Sequence, residues 1–589
     1  MSNNIQTNFD QNDPRTVDTH STSTSSNKVT SGSYDEKQGL PSNSPLNYAG
    51  NEVGETNIGI ETVLPNFGKK WYKLHHFHLL TMAIFTISLT ACNTGFDGSL
   101  LNSLYTEDDF NNAIGNVSGS ILGALTNGYV FGCLLSFGVS ARMNDVLGRK
   151  NCLMICNVIM IIGVIIQSCS GAWMHDGFPA NYKKRDVLGM MIAGRIVIGF
   201  GSGIIQLSAP SLIAEISYPH PKARSMQINY YNSMWYGGAI VAAWICFGVR
   251  NVSHHWSWRI PSILQCLFAV LQIILVPYFV PESPRWYVSK GQIDKARDVL
   301  NKYHAGYFVE GEALIDYELT EIQLSIEQEK AAANTKYRDL FKTKANLKRM
   351  WIIIWIGIFM QLSGNGLVSY YLGKVLTSIG YTSTKEQLII NAGLMIYNFG
   401  VCIIQSFWIV PWVKKRVVLT KTSVAGMLFS FIIWTILSAR ATIDNFEDKG
   451  LGKGVLAFIF IYYFFYNLGL NGLPFTYVTE ILPYTTRAKG LSIFVMVQFI
   501  VMIYNGFVNP IALDAIDWKY YIVYVCILAV ELCVTFTFIE TSGRTLEEVA
   551  EVFGDGIQDL GAVSGITALA EAKKLNTKLS QNSDIEHIA

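Results

Sequence analysis

Apolar residues gather into windows about 20 residues long, the length an α-helix needs to cross a bilayer core of about 30 Å. Twelve such windows lie near residues 77–97, 117–139, 152–173, 187–212, 227–248 and 259–280, then 349–376, 387–411, 418–438, 454–478, 490–512 and 519–539. The main polar insertion between windows, residues 281–348, falls between the sixth and the seventh. Its runs Ser289 to Arg297 and Glu318 to Ile322 read as short amphipathic helices at a membrane surface. The pattern predicts an all-α polytopic membrane protein: twelve transmembrane helices in two six-helix halves, joined by a helical linker.

Residues 1–68 are rich in Ser, Thr, Asn, Asp and Gly and contain no apolar stretch. Such a segment buries too little surface to offset its chain entropy and is expected to be disordered. No signal-peptide pattern precedes the first window, so the tail is expected to stay in the cytosol. Short loops rich in Lys and Arg mark the cytoplasmic side. They hold Lys69, Lys70 and Lys73, then Arg142, Arg149 and Lys150, then Lys222 and Arg224, and finally Lys414, Lys415 and Arg416. Lys183, Lys184 and Arg185 run against the rule. Both termini are therefore expected inside. The expected organisation is a cytoplasmic tail (1–68), a first half (69–280), a cytoplasmic linker (281–348), a second half (349–540) and a cytoplasmic tail (541–589). Asn116 and Asn251 open Asn-X-Ser sequons in expected outside loops and are candidate glycosylation sites.

Composition agrees with a membrane class: half of the residues are hydrophobic, 15% are charged, and mean hydropathy is +0.27. A net charge of +1 excludes the basic excess of a nucleic-acid binder. The ten cysteines lie in or beside apolar runs without CxxC or Cys/His spacing. They read as small buried hydrophobes, and no metal site is expected. Neither a P-loop nor an HExxH motif is present, so neither an enzyme nor a bound cofactor is expected. The run Gly199-Phe200-Gly201-Ser202-Gly203 lies inside the fourth window, where small residues allow close helix packing.

Charged motifs recur after the windows in a fixed order. Asp145-Val146-Leu147-Gly148-Arg149-Lys150 follows the second; Glu215, Pro219 and Arg224 follow the fourth; Pro281-Glu282-Ser283-Pro284-Arg285 follows the sixth. The second half echoes them with Glu480, Pro483 and Arg487 after the tenth window and Glu540-Thr541-Ser542-Gly543-Arg544 after the twelfth. Duplication of this kind places a binding site between the halves. On these motifs, residues 70–550 resemble the sugar-porter family of the major facilitator superfamily. The resemblance implies that Asp145, Arg149, Glu215, Arg224, Glu282, Arg285, Glu480, Arg487, Glu540 and Arg544 form a cytoplasmic ion-pair network that gates the transporter. For any one of these charges the plainer reading is topological anchoring. One departure stands out: Pro411-Trp412-Val413-Lys414-Lys415-Arg416 lacks the acid and glycine of the expected repeat, implying a weaker second-half gate.

Ionisable residues at membrane depth are costly and mark function by default. Asp97, Arg195 and Glu531 are the three to weigh. By resemblance, Asp97 and Arg195 face each other, and proton-coupled members use this acid as the proton acceptor. An adjacent Arg favours the charged carboxylate, so separating the two couples proton uptake to shape. A permanent structural ion pair is the alternative. Glu531 has no counterpart in the family's site and is expected to pack against polar groups near an outer helix.

A sugar site needs uncharged amides and hydroxyls together with aromatic faces. Asn232, Trp235 and Tyr236 share one helix face in the fifth window. The seventh supplies Gln361 and Asn365, the latter in a Gly-flanked helix break, then Ser369, Tyr370 and Tyr371. The tenth supplies Asn467, Asn471 and Phe475 with a kink at Pro474; the eleventh supplies Gln498, Phe499, Asn505 and Asn509. Hexose carriers commonly have Gln where Asn232 stands and Trp where Phe475 and Phe499 stand, which implies a roomier cavity here. The segments around Asp97 and Ser363 to Tyr371 are similar to those of lactose permeases and of fungal cellobiose and cellodextrin transporters. The resemblance implies proton-coupled symport of a disaccharide across the plasma membrane by a monomer in contact with lipid. A passive hexose facilitator and a sugar sensor that does not transport stay open.

Overall fold

The structure is a computed structural model that describes residues 64–65, 73–171, 184–252, 255–332, 336–413, 415–444, 448–542 and 546–554. Twelve crossings are formed: α1 His75–Leu104, α2 Gly119–Leu147, α3 Arg149–Ser168, α4 Lys184–Ile216, α5 Pro221–Val249, α6 Trp256–Phe279, α7 Lys344–Thr377, α8 Thr384–Ile409, α9 Arg416–Ile443, α10 Lys449–Ile481, α11 Tyr484–Ile516 and α12 Tyr520–Thr535. No strand occurs among the described residues. Ten stretches are apolar and long enough to span by themselves, with α11 and α12 running together as Lys489–Thr535. Helix α5 falls just outside that set because Asn232, Trp235, Tyr236 and two glycines dilute it.

Most helices outrun their apolar windows. Helix α1 continues through Ser99, Asn102 and Ser103, all buried against protein rather than lipid. The halves meet where α2 packs on α11, α5 on α8 and α1 on α7. Advancing each helix by six converts the first pairing into the second and returns the third to itself. This is the pseudo-two-fold relation between the halves.

Close approach of backbones requires glycine at several crossings. A Cβ on Gly199 would lie 2.0 Å from the Tyr129 carbonyl oxygen, and one on Gly132 would lie 2.1 Å from that of Ile196, which fixes α2 against α4. Gly95 and Gly238 do the same for α1 and α5, at 1.7 Å from Trp235 O and 1.8 Å from Cys92 O. The cysteines depart from the expectation of uniform burial. Cys169 at the end of α3 and Cys526 and Cys533 on α12 are exposed.

The linker folds into helices Pro284–Ser289, Ile293–Leu300 and Glu312–Ala332. Ser283 caps the first by accepting from Trp286 N at 3.1 Å, with Pro284 at a position that needs no donor. His304 docks the linker on α4: its Nε2 donates to the Ile216 carbonyl at 3.0 Å and its Nδ1 bonds Glu318 at 2.9 Å. Burial alone would lower this imidazole's pKa, but the Glu318 carboxylate and the Ile216 carbonyl outweigh it and hold the pKa above its usual 6.5. Tyr218 packs edge-on, and His76 is the neighbouring imidazole. The docked state thus holds its proton more tightly than the free chain. Its stabilisation is complete at acidic pH and is lost as pH rises above 6.5 through the raised value. Hydrogen exchange across the linker should accelerate over that range, and His304→Gln should flatten the pH dependence.

Candidate functional site

Asp97 in the second half of α1 and Arg195 in α4 form a buried, bidentate pair, with both Nη–Oδ distances at 3.2 Å. Gln265 of α6 adds a third bond, donating from Nε2 to Asp97 Oδ1 at 2.5 Å, and is itself held by Gln167 Nε2 at 3.2 Å. The carboxylate therefore faces one full charge and one amide. Two turns further along α6, Gln272 donates to the Thr86 and Ile87 carbonyls and to Thr90, binding α6 to α1 beneath the pair.

The pair forms part of the wall of a narrow cavity of about 60 Å³ between the halves. Thr94, Thr126, Asn127 and Tyr129 line it from the first half, with Trp235 across from them; Tyr370 and Met502 reach in from the second half. Tyr129 is oriented by bonds to Ser202 (2.6 Å) and Gln206 (2.7 Å). Asn127 donates to the Ile503 carbonyl at 3.1 Å, while its buried Oδ1 has no partner among the described residues. The lining thus combines hydroxyls, an amide with a free acceptor, two aromatic rings and an ion pair, the groups that recognise a polyhydroxylated neutral molecule.

Of the expected substrate residues, Trp235 and Tyr370 line this cavity. The others are arranged around it. Asn232 stands opposite Gly472, whose Cβ would lie 3.5 Å from its amide. Asn471 donates to Asn467, and Asn467 accepts from Tyr236 at 2.7 Å and donates to Asn398 at 3.1 Å. Asn365 accepts from Ser369, which also bonds Tyr463. Gln361 contributes its carbonyl to Asn505 at 2.6 Å, and Gln498 donates to the Met360 sulfur. Phe499 packs against the core of the first half, and Phe475 is 40% exposed, edge-on to Phe494. Asn509 accepts from Tyr520 and Tyr524 and so ties α11 to α12, away from the cavity.

Two helix breaks shape the second-half wall. Helix α7 breaks at Gly364, whose φ of +108° only glycine adopts readily, and is distorted again at Tyr371 (φ −133°, ψ 27°). In α10 the break lies at Gly472 (φ +83°), two residues before the expected kink at Pro474. Pro474 sits instead in the first turn of the following helical segment, where its missing N–H costs no bond.

The charged motifs gather at one end of each half. Arg149 pairs with Glu215 at 3.2 Å, and Glu282 accepts from the backbone N–H groups of Arg149 (2.8 Å) and Lys150 (3.1 Å) at the start of α3. Gly148 (φ +88°) admits this carboxylate; a Cβ there would lie 2.3 Å from its oxygen. The second half repeats the arrangement although it lacks the acid and the glycine. Glu540 accepts from the N–H groups of Arg416 (2.8 Å) and Val417 (3.0 Å), and Arg416 pairs with Glu480 at 3.4 Å, with more solvent around it. Thr541 supports Glu480 at 2.8 Å. Arg285 instead pairs with Glu329 of the linker, Arg224 and Asp145 are exposed, and Arg487 donates to the Leu482 carbonyl at 3.4 Å. Arg544 lies outside the described residues. A buried Arg349, not anticipated from sequence, donates to the Ile481 carbonyl at 2.9 Å and packs on Phe553.

Glu531 departs from expectation. It is buried in α12, and neither carboxylate oxygen has a hydrogen-bond partner among the described residues. The surrounding core of the second half is rich in aromatic and aliphatic side chains, Tyr462 and Tyr524 among them. Asn116 and Asn251 are both exposed at the end away from the charged motifs.

The family profile described as "Sugar (and other) transporter" matches residues 83–553. The chain is 27% identical to the MFS-type transporter oryC of Aspergillus oryzae, over 78% of this chain and 82% of the relative. It is 29% identical to the low-affinity glucose transporter HXT3 of Saccharomyces cerevisiae, over 74% of each. Among solved structures it matches the proton:xylose symporter XylE bound to 6-bromo-6-deoxy-D-glucose, with a TM-score of 0.66 and 20% identity over 81% of this chain and 99% of that one. An inward-open form of XylE from E. coli matches with a TM-score of 0.64.

Proposed function

Because the chain belongs to the sugar-transporter family of the major facilitator superfamily, we propose that it carries a disaccharide, lactose- or cellobiose-like, together with a proton by alternating access. The observation that carries this reading is the Asp97–Arg195 pair standing in the wall of the central cavity, where substrate and proton would meet. Protonation of Asp97 removes the charge that holds Arg195, freeing α1 to move relative to α4. Sugar hydroxyls would bond Thr126, Asn127 and Tyr129, and the Trp235 and Tyr370 rings would cover the apolar faces of the sugar.

The motif loops and both termini would face the cytosol of a fungal cell, placing Asn116 and Asn251 outside as glycosylation sites. The protein would act as a monomer in the plasma membrane. Uptake of labelled mono- and disaccharides in transport-deficient yeast, with and without a protonophore, tests the whole reading. Disaccharide uptake that collapses with the protonophore is expected; no uptake of any sugar would sink it. A second reading, passive hexose facilitation, draws on the naming of HXT3 as a low-affinity glucose transporter. Hexose uptake insensitive to the protonophore would favour it.

The half-exposed Phe475 bears on substrate size. Phe475→Trp should fill space near Phe494 and lower disaccharide transport about tenfold relative to hexose. An unaltered substrate profile would count against a roomy cavity.

A further inference from the structure

The hydrogen bonds that join α1 to α7 and α8 lie at the end away from the charged motifs, and they are uncharged. Asn102 of α1 donates from Nδ2 to Asn391 Oδ1 of α8 at 3.3 Å, and Asn391 returns a bond to Ser103 Oγ at 3.1 Å. All three side chains are buried. Asn102 Oδ1 also accepts from the backbone N–H of Leu372 at 3.1 Å. Leu372 directly follows the distorted Tyr371, so in the bent helix its N–H is offered to another element. Beside this clasp, Tyr371 stacks on Tyr105 with rings 3° from parallel and bonds Thr126 and the Gly506 carbonyl.

We propose that Asn102 is a positioning residue of the transport cycle: its amide recognises the bent form of α7 and locks it to α1 and α8, holding the outer end shut. Straightening α7 would return the Leu372 N–H to the helix ladder and leave Asn102 Oδ1 without its donor. A buried acceptor without a partner is costly, so the bend and the closed end stand or fall together. The inference rests on the alternating-access reading above, but it concerns an equilibrium of shape that exists without substrate.

The test is labelling from outside by a membrane-impermeant thiol reagent, read at a Thr94→Cys reporter in the cavity wall and corrected for the chain's own cysteines. Adding Asn102→Ala should speed labelling about fivefold or more, and Asn391→Ala should act in the same direction. Ser103→Ala, which removes one outlying bond, should have a smaller effect. A second reporter, Leu153→Cys, buried between α3 and its neighbours, should label no faster in either background. Unchanged Thr94→Cys labelling at equal surface abundance would overturn the proposal, and so would a parallel rise at both reporters, which marks general loosening. If Asn102→Ala does not reach the surface, the Asn391→Ala rate decides. No sugar is needed for the measurement, so a failure of the substrate reading leaves this result interpretable.

Discussion

Asp97→Asn is expected to abolish accumulation of sugar against its gradient while leaving exchange at equal concentrations partly intact. Asparagine matches the shape of aspartate and can still accept from Gln265, which lies 2.5 Å from Asp97 Oδ1. It cannot carry a proton or neutralise Arg195. The guanidinium would then be buried without a counter-charge, at a cost of about 3 kcal/mol or more. Reduced thermal stability in detergent is therefore expected alongside lost accumulation. The double variant Asp97→Asn/Arg195→Gln separates the two effects, since removing both charges should restore much of the stability and none of the uphill transport. Uphill uptake unchanged in Asp97→Asn would rule out the coupling role.

Gly238→Ala should be among the most disruptive single-methyl changes in the first half. Its Cβ would stand 1.8 Å from the Cys92 carbonyl oxygen, a backbone atom that cannot rotate away, so α1 and α5 would have to part. Overpacking of this kind costs about 3 kcal/mol, and separating α1 would also disturb the Asp97 site. Gly248→Ala on the same helix is the control, because a Cβ there would have no atom within 4 Å. Thermal unfolding should show a loss of several degrees for the first and none for the second. Equal behaviour of the two would refute the close-contact account of α1 and α5.

The spans were legible because lipid imposes a local rule that each window obeys by itself. Helix α5 is the informative exception to hydropathy, since the polar and aromatic residues that dilute it include a cavity residue, Trp235. Asp97 and Arg195 stood out as charges at membrane depth, and the structure brings them to 3.2 Å. Gln265 and Gln167 did not stand out, because an uncharged amide in a span is ordinarily an interhelical bond. One signal was available: Gln265 and Gln272 lie two turns apart on a single face of an otherwise apolar helix. Thr126, Asn127 and Tyr129 were invisible for a different reason. Their part in the cavity depends on which way α2 is rotated, and that follows from contacts of Gly132 and Gly199 with helices distant in sequence. Arg416 shows the limit of motif reading: the acid and glycine are missing beside it, yet the Glu540 cap forms, because two backbone N–H groups at a helix start suffice to bind a carboxylate.

Those two caps have a mechanical consequence. Glu282 lies beyond the last helix of the first half but binds the start of the third, and Glu540 lies beyond the last helix of the second half but binds the start of the ninth. Each half is stitched from its final segment back to its middle, like a strap buckled around a bundle. Load applied at the linker or at the Asn102 clasp would then be transmitted through a stiff lever, with compliance left to the seams where α2 meets α11 and α5 meets α8.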